Sequence, residues 1–452
     1  MTSSSLAIQP PAPVPGSSAV FYRIRRNSLL ILAGTGLTVL YLLYTFISFD
    51  VWELIRRSQP QRAVMLATDA VAHKVHVTKT IRGAGGLSIA VEGERTATYE
   101  APPGWVTVSE DMTRVDLARG YRVDIYDTHV VFQIPDIGPV HVEITDAGIE
   151  TTLPRGVDPP DWLRATPAKF DARPTIGRRV QVSKARIEVH RYFMGWENFF
   201  FPFRSELAVY SPGQLFSLAF SDQRLDPDMA NWRLMATTFW NNPGWQHKQV
   251  FVALLETFLM AVLGTLTAAL VGLPLAVLAA ANFTPAQALR FAVRRLFDFL
   301  RGIDMLIWSL IFIRAFGLGP LTGALAIAFT DTGSLGKLFS EALEGVNKKQ
   351  MEGVHATGAN RLQFYRFGVI PQIIPVFVSQ TLYYLESNVR SATIIGALGA
   401  GGIGLMLVEA MNTQRHWENV FYLILLTISL VMVMDTVSAK LRSRLIHGRS
   451  EI

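Results

Sequence analysis

The sequence contains no cysteine, which excludes disulfides, thiolate metal sites and cysteine nucleophiles. That absence does not choose a compartment, because a chain without thiols tolerates either redox state. Charge is also scarce: 17% of residues are charged, against about 25% in soluble domains. An ATP-binding signature is missing. Where Gly336-Lys337 comes nearest to a phosphate loop, Asp331 replaces the first Gly and Leu338 the Ser/Thr. What is abundant is apolar. Half of the 452 residues, 50%, are hydrophobic, gathered near the start and across the second half. These runs can cross a bilayer core of about 30 Å, which takes roughly 20 helical residues. The net charge of +6 falls on Arg and Lys flanking those runs, as anchors at a membrane do, and does not point to nucleic acid.

Residues 1–27 open with a Ser- and Pro-rich stretch and read as a disordered cytoplasmic tail. A first span covers 28–49, with Arg23, Arg25 and Arg26 before it and Asp50 and Glu53 after, which places the N-terminus inside. Residues 50–195 have the composition of a soluble module: a short helix near Gln61 to Ala72, then segments of period two. Val75, Val77 and Ile81 share one strand face, interrupted by Lys79. Val115 to Leu117, Tyr121 to Tyr126, His129 to Ile134, Val140 to Ile144 and Val180 to Val189 continue the pattern, with turn residues between most of them. The expectation is an antiparallel β domain inserted on the extracytoplasmic side, with Pro154 to Pro174 as a linker. Residues 196–249, opening with the cluster Trp196, Phe199, Phe200, Phe201 and Phe203, read as an interfacial connector.

Five further spans are expected in 250–440: Val250 to Ala280, Ile303 to Phe316, Leu321 to Phe339, Ile373 to Leu398 and Val420 to Val437. The cations Arg290, Arg294, Arg295 and Arg301, then Lys348, Lys349, Arg361 and Arg366, fall in loops that this assigns inside, and Lys440, Arg442, Arg444 and Arg449 fall in or beside the tail 441–452. Arg415 is the main cation in the short outer loops. Both termini are therefore placed in the cytoplasm.

The most informative segment is the inner loop 341–371. It is polar between two apolar spans and carries Glu352, Gly358 and Pro371. A docking surface and a solvated connector are both consistent with such a loop. Its spacing is similar to the coupling loop of ABC importer permeases, whose pattern is Glu-Ala-Ala, three residues, Gly, nine residues, Ile-x-Leu-Pro. The chain departs from it at Gly353, Val354, Gly368 and Ile370. The stretch Leu382-Tyr383-Tyr384-Leu385-Glu386-Ser387-Asn388-Val389-Arg390-Ser391-Ala392-Thr393-Ile394-Ile395-Gly396, running into Gly399-Ala400-Gly401-Gly402-Ile403-Gly404, resembles the phosphonate-type permeases of that class. So do Arg301-Gly302-Ile303, Gly317-Leu318-Gly319-Pro320 and Thr332-Gly333-Ser334-Leu335-Gly336-Lys337. The resemblance spans about Trp240 to Arg444 and leaves the β module out.

The resemblance implies a mainly α-helical, type I permease of six spans in a bacterial inner membrane, moving phosphonate, phosphite or phosphate-like anions. It implies a second copy of the chain, two ATP-binding subunits that hold ATP and Mg, and an extracytoplasmic substrate-binding protein. The chain itself is expected to carry no catalytic residue, metal or cofactor. Glu352, Gly353, His355, Thr357 and Gly358 become ATPase-coupling candidates, and Glu386, Asn388 and Arg390 pathway candidates. Glu386 and Arg390, at i and i+4, can pair on one helical face. The run Gly399 to Gly404 spells G-x-G-x-x-G, but no strand precedes it; a hinge or a close helix contact suits Gly399, Gly401, Gly402 and Gly404 better than a dinucleotide site. Glu256, Asp331 and Asp435 also fall in spans, open to pore lining or packing. Two other functions stay in view. One is a membrane-anchored binding or sensor protein acting through the β module. The other is a metalloenzyme using His73, His76, His129, His141 or His190.

Overall fold

The structure is a computed structural model that describes residues 17–58, 60–81, 86–91, 98–196, 198–413 and 417–447. Residues 1–16, Arg415 and Arg449 lie outside the described residues. The chain divides into two units, residues 1–65 and 66–452.

In the first unit, α1 (Ser17–Ser48) is followed by α2 (Val51–Arg57) and the start of α3 (Pro60–Asp69). The helix begins at Ser17, so the tail expected over 1–27 is helical in its last part. Its apolar stretch Leu30–Ser48 is 19 residues long, about 28 Å at roughly 1.5 Å per residue. Apolar side chains are exposed all around it, Leu30 to Leu32 and Leu37 to Leu43 among them. A helix apolar on every side is suited to lipid.

The second unit opens with twelve described strands: β1 (Ala72–Thr80), β2 (Leu87–Val91), β3 (Val106–Val108), β4 (Thr113–Asp116), β5 (Arg122–Ile125), β6 (His129–Ile134), β7 (Gly138–Ile144), β8 (Ile149–Thr152), β9 (Leu163–Ala165), β10 (Lys169–Thr175), β11 (Arg178–Ser183) and β12 (Arg186–Met194). They form two six-stranded sheets, ordered β2-β1-β12-β11-β10-β9 and β3-β4-β5-β6-β7-β8. Alternation drives the burial: Val75 and Val77, Val130, Phe132 and Ile134, and Val180 and Val182 all turn into one core shared by both sheets. The first and last strands pair, Ala72 opposite Met194, so the chain enters and leaves the module at the same place.

The expected linker Pro154 to Pro174 is instead structured, containing β9 and most of β10. Pro154, Pro159, Pro160 and Pro167 stand outside the strands. Pro174 sits where the β10–β11 register slips between Ala172 and Thr175. Proline is tolerated where the ladder is already broken.

Helices follow. α4 (Pro212–Ala219) and α5 (Asn231–Trp240) precede α6 (His247–Ala279), α7 (Gln287–Gly302), α8 (Met305–Phe316), α9 (Pro320–Glu344), α10 (Lys348–Ala356), α11 (Arg361–Gln363), α12 (Ile370–Ile395), α13 (Gly402–Thr413) and α14 (Trp417–His447). A wider helical turn at Phe364–Val369 joins α11 to α12.

Of the six expected spans, four are both long and apolar enough to cross a membrane: Leu30–Ser48, His247–Ala279, Arg361–Ala400 and Trp417–Arg444. α8 has 12 residues, about 18 Å at roughly 1.5 Å per residue; the span expected over Ile303 to Phe316 is too short to cross alone. α9 has 25 residues, long enough, but it is more polar because its neighbours shelter it. A Cβ on Gly264 of α6 would meet Ile327 of α9, and one on Gly333 would meet Phe297 of α7. Small residues at these crossings let backbones approach closely, as membrane helix pairs require. The cationic loop expected at Arg290 to Arg301 is the amphipathic helix α7, which buries Val293, Phe297 and Leu300. The tail expected over 441–452 is helical as far as His447.

Candidate functional site

Two ends of α6 organise the second unit. At its start, His247 Nε2 lies 2.8 Å from the Phe199 carbonyl and Nδ1 3.0 Å from the Tyr422 hydroxyl. Trp196 packs against Trp245 and Tyr422. The exit of the β module thus meets the beginnings of α6 and α14. At the other end, Glu344 at the close of α9 accepts from the Ala281 amide at 2.6 Å and pairs with Arg294 of α7 at 2.5 Å. Arg294 also donates to the Ala279 carbonyl at 3.1 Å. The β module and the segment after α9 therefore attach at opposite ends of a 33-residue helix, roughly 50 Å apart along its axis.

All five coupling candidates lie in α10 and its C-terminal turn. Asn347 caps the helix, its side chain accepting from the Lys349 amide at 3.0 Å. The helix closes where the Thr357 hydroxyl donates to the Val354 carbonyl at 2.7 Å. Gly358 then takes φ 78°, a left-handed position that suits glycine past a helix end. Asn360 and Gln363 cap α11 reciprocally, at 3.0 and 2.9 Å. No residue of α10 is buried; Glu352, Gly353, His355, Thr357 and Gly358 are all exposed. Leu362 and Phe367 remain 77% and 62% exposed. Val354, Gly358, Gln363 and Phe367 edge an open groove of about 620 Å³. This surface is anchored from behind: Gln372 on α12 accepts from the Asn347 amide at 3.0 Å and donates to the Gly368 carbonyl at 2.6 Å.

The pathway candidates separate. Glu386 does not pair with Arg390. Its Oε2 accepts from Arg442 of α14 at 3.0 Å, because α14 packs along α12 and brings that guanidinium within reach. Asn388 is buried and donates to Thr265 of α6 and Asp331 of α9. Arg390 is exposed and makes no ion pair among the described residues. Reading the sequence missed Arg442 and Thr265 as partners. Arg442 lies 56 residues from Glu386, and Thr265 is one hydroxyl inside an apolar run, so neither carries a local signal. Of the other carboxylates, Asp331 is buried and Asp435 exposed.

The glycine run forms a tight turn between α12 and α13. Gly399, Gly401 and Gly402 have φ of 115°, 88° and 69°. A Cβ on Gly404 would strike the Thr393 carbonyl, and one on Gly402 the Thr257 hydroxyl. At the start of α13, Glu256 Oε2 accepts from the Gly402 amide at 3.0 Å and Thr257 Oγ1 from the Ile403 amide at 2.9 Å. A carboxylate already occupies the place where a nucleotide phosphate would have to sit.

The five candidate histidines fall on strands and do not gather as a cluster. His73 and His76 lie on β1, where residues three apart face opposite ways. His73 stacks on Phe193, and His76 stacks on His190 across the β1–β12 pair. His129 and His141 belong to the other sheet. Among the described residues no three His, Cys, Asp or Glu side chains come together as a metal site would need.

Long apolar helices around a sheltered central helix, with an exposed helix-and-turn surface at one end, define a membrane-embedded helical protein. A family profile described as binding-protein-dependent transport system inner membrane component matches residues 272–447. The phosphite transport system permease protein PtxC of Stutzerimonas stutzeri is 35% identical over 189 residues, covering 42% of this chain and 68% of that protein. An Escherichia coli K12 protein named for a cryptic phosphonate transport system, PhnE2, is 43% identical over 122 residues, covering 27% of this chain and 99% of its own. The phosphate-import permease protein PhnE of Mycolicibacterium smegmatis is 40% identical over 157 residues, covering 35% and 30%. The chain belongs to the family of binding-protein-dependent transport system inner membrane components. Membership in a family of transport permeases sets aside the binding or sensor protein as an account of the whole chain. The family match leaves the β module outside it.

Proposed function

We propose that the chain is the pathway-forming subunit of an ATP-driven importer for phosphonate, phosphite or a phosphate-like anion. The observation that carries this reading is α10 with its Gly358 turn: an exposed helix, held firmly from behind, with apolar side chains and a groove facing outward. Its relatives are named for phosphite, phosphonate and phosphate transport.

In this reading Glu352, Gly353, His355, Thr357 and Gly358 seat in a separate ATPase subunit that holds ATP and Mg. Two such subunits act on two copies of the chain, and an extracytoplasmic binding protein delivers the anion. Closure of the ATPases pushes on α10, and Gln372 passes that movement to α12. The bundle has two packings, inward- and outward-open, and the ATPases bias the balance between them. Placing α10 in the cytoplasm puts the β module outside, since the two attach at opposite ends of α6. Both termini then lie inside.

Arg390 is the pathway residue left accessible. A cation in a membrane segment costs about 2.5–3.5 kcal/mol on insertion scales unless it pairs or meets water. On an open pathway it would attract an anion by charge-assisted hydrogen bonds. Glu386 and Asn388 can join it only when their contacts with α14 and α9 open. The Gly399 to Gly404 turn, beside Glu256, is the outer hinge of that motion.

The test is copurification with an ATPase partner, followed by ATP hydrolysis in lipid vesicles with the binding protein and a phosphonate added. Stimulation that vanishes in Glu352→Ala and Gly358→Ala, with complex assembly retained, is the expected result. Stimulated hydrolysis at wild-type level in both variants would remove α10 from the coupling role.

A further inference from the structure

The β module concentrates positive charge that transport through the helices does not use. Arg119 lies between β4 and β5, in one sheet. Arg178 opens β11, and Arg191 lies in β12, in the other sheet. All three line one open cleft of about 420 Å³, whose walls also include Leu117 and Thr175. Arg178 and Arg191 stand directly opposite each other in the β11–β12 register, and like charges facing across a strand pair are destabilising.

The contacts these arginines make hold their planes without neutralising them. Arg178 is 9% exposed; it donates to the Leu117 carbonyl at 2.5 Å and the Thr175 hydroxyl at 2.9 Å, and lies over the Tyr121 ring. Arg191 donates to the Asp116 carbonyl at 3.0 Å and lies over Trp105 and Phe193. Asp116 is the nearby carboxylate, but its Oδ1 takes the Ala118 amide at 2.7 Å, and it pairs with none of the three among the described residues. The mutual repulsion is felt: burial first, then the charges of Arg119 and Arg191, pull the Arg178 guanidinium below its ordinary range, against Tyr121 and Asp116.

The backbone places the third arginine. Ala118, Arg119 and Gly120 have φ of 63°, 53° and 81°. Left-handed residues of this kind are what a tight β-hairpin turn uses, and this turn joins β4 to β5. Here it holds an exposed arginine at the rim of the cleft.

We propose that this cleft is an anion site, taking a tetrahedral phosphorus oxyanion of the phosphate, phosphite or phosphonate type across Arg119, Arg178 and Arg191. Guanidiniums arriving from two sheets can each meet a different oxygen of a tetrahedral group. A planar carboxylate would engage one fork and leave the others unmet. The site rests on the geometry of the β module, and the choice of phosphorus among tetrahedral oxyanions rests on the proposed cargo. The same chemistry serves a free anion or the phosphate of a lipid headgroup.

The test uses the full chain in nanodiscs of zwitterionic lipid, without ATPase, titrated with inorganic phosphate and with methylphosphonate by calorimetry. Saturable binding is expected. Arg119→Gln touches no buried bond and should weaken binding about tenfold or more, the loss of one charge-assisted contact. Arg191→Gln should do the same, and Arg155→Gln, outside the cleft, should leave it unchanged. Discs containing phosphatidic acid separate the two sources: competition with phosphate assigns the site to a headgroup, and undiminished binding assigns it to the free anion. No saturable binding to the wild-type chain at millimolar anion, or an Arg119→Gln variant that binds as tightly as wild type, overturns the proposal. Because no ATPase is present, that outcome would leave the permease reading where it stands.

Discussion

Asn388 on α12 donates to Asp331 Oδ2 on α9 at 2.5 Å and to Thr265 Oγ1 on α6 at 2.8 Å, so one amide ties three helices together. Both ends of the Asn388–Asp331 bond are buried, at 2% and 3% exposure. Interhelical bonds of this kind contribute about 0.6–2 kcal/mol in membranes. Leaving a buried polar group unpaired costs about 1–3 kcal/mol. Asn388→Leu should therefore lower the thermal midpoint of the detergent-solubilised protein by an equivalent of about 1–3 kcal/mol. Asp331→Asn, which keeps a carbonyl acceptor, should lose less. If Asn388→Leu melts with the wild type, the three-helix tie contributes nothing.

Glu386 and Arg442 meet at 3.0 Å with their side chains 16% and 24% exposed, while Arg390, one turn along α12, does not share that contact. A double-mutant cycle on Glu386→Gln and Arg442→Gln should give a coupling of about 0.5–3 kcal/mol, as for residues in direct contact. The cycle on Glu386 and Arg390 should give close to none. Coupling of equal size in both cycles would return Arg390 to the pair.

The parts of this fold that could be read in advance are those whose signal is local. His129 to Ile134 alternates, and the strand it forms buries Val130, Phe132 and Ile134 while leaving His129, Val131 and Gln133 partly open. The long, mostly apolar run after Val250 becomes the long helix α6. What could not be read in advance shares another cause, because it depends on what lies alongside. α9 tolerates Thr330, Asp331 and Thr332 only because α6, α7 and α12 surround it, and neighbours cannot be seen in a hydropathy pattern. The proline-rich stretch around Lys169 looks like a linker until a register slip beside Pro174 absorbs the missing donor. At the candidate site, Glu352 and Gly358 were found by spacing, whereas Arg442 and Thr265 are joined to their partners only by folding.

Glycines at the α12–α13 turn and at the outward surface should respond in opposite ways. Gly402 has φ 69°, and a Cβ there would meet the Thr257 hydroxyl; at Gly404 it would meet the Thr393 carbonyl. Gly402→Ala should cost roughly 1–3 kcal/mol from backbone conformation alone, with the collision in addition, and should reduce the yield of folded protein in membranes. Gly353 lies inside α10 with nothing within 4 Å of an added Cβ. Gly353→Ala should raise helix stability by about 0.5–1 kcal/mol and leave membrane yield intact. Thermal melting and membrane yield of the two variants check this; a Gly402→Ala protein as stable as wild type would mean that the turn can rearrange freely.

The β module should show its own acid limit through Asp171. Arg179 on β11 donates to both carboxylate oxygens of this β10 residue, at 3.0 and 2.7 Å, and Gln181 adds a bond at 3.0 Å. Burial pushes the Asp171 pKa up, but the bond and charge of Arg179, with Lys169 and Gln181, outweigh it and hold the group below its ordinary range. A depressed value in the folded state means that the unfolded chain binds the proton more readily. The resulting stability is present above the ordinary Asp value of about 3.9 and is lost as pH falls through the lower, folded value. Wild type should thus melt higher than Asp171→Asn at neutral pH, with the gap closing on acidification below about pH 4. Thermal midpoints of full-length wild type and variant, followed across that range by circular dichroism in the β-sheet region, measure the gap directly. A gap that stays constant to about pH 2, below the ordinary carboxylate range, would show that Asp171 acts through packing and its bond to Gln181, with no contribution from its charge.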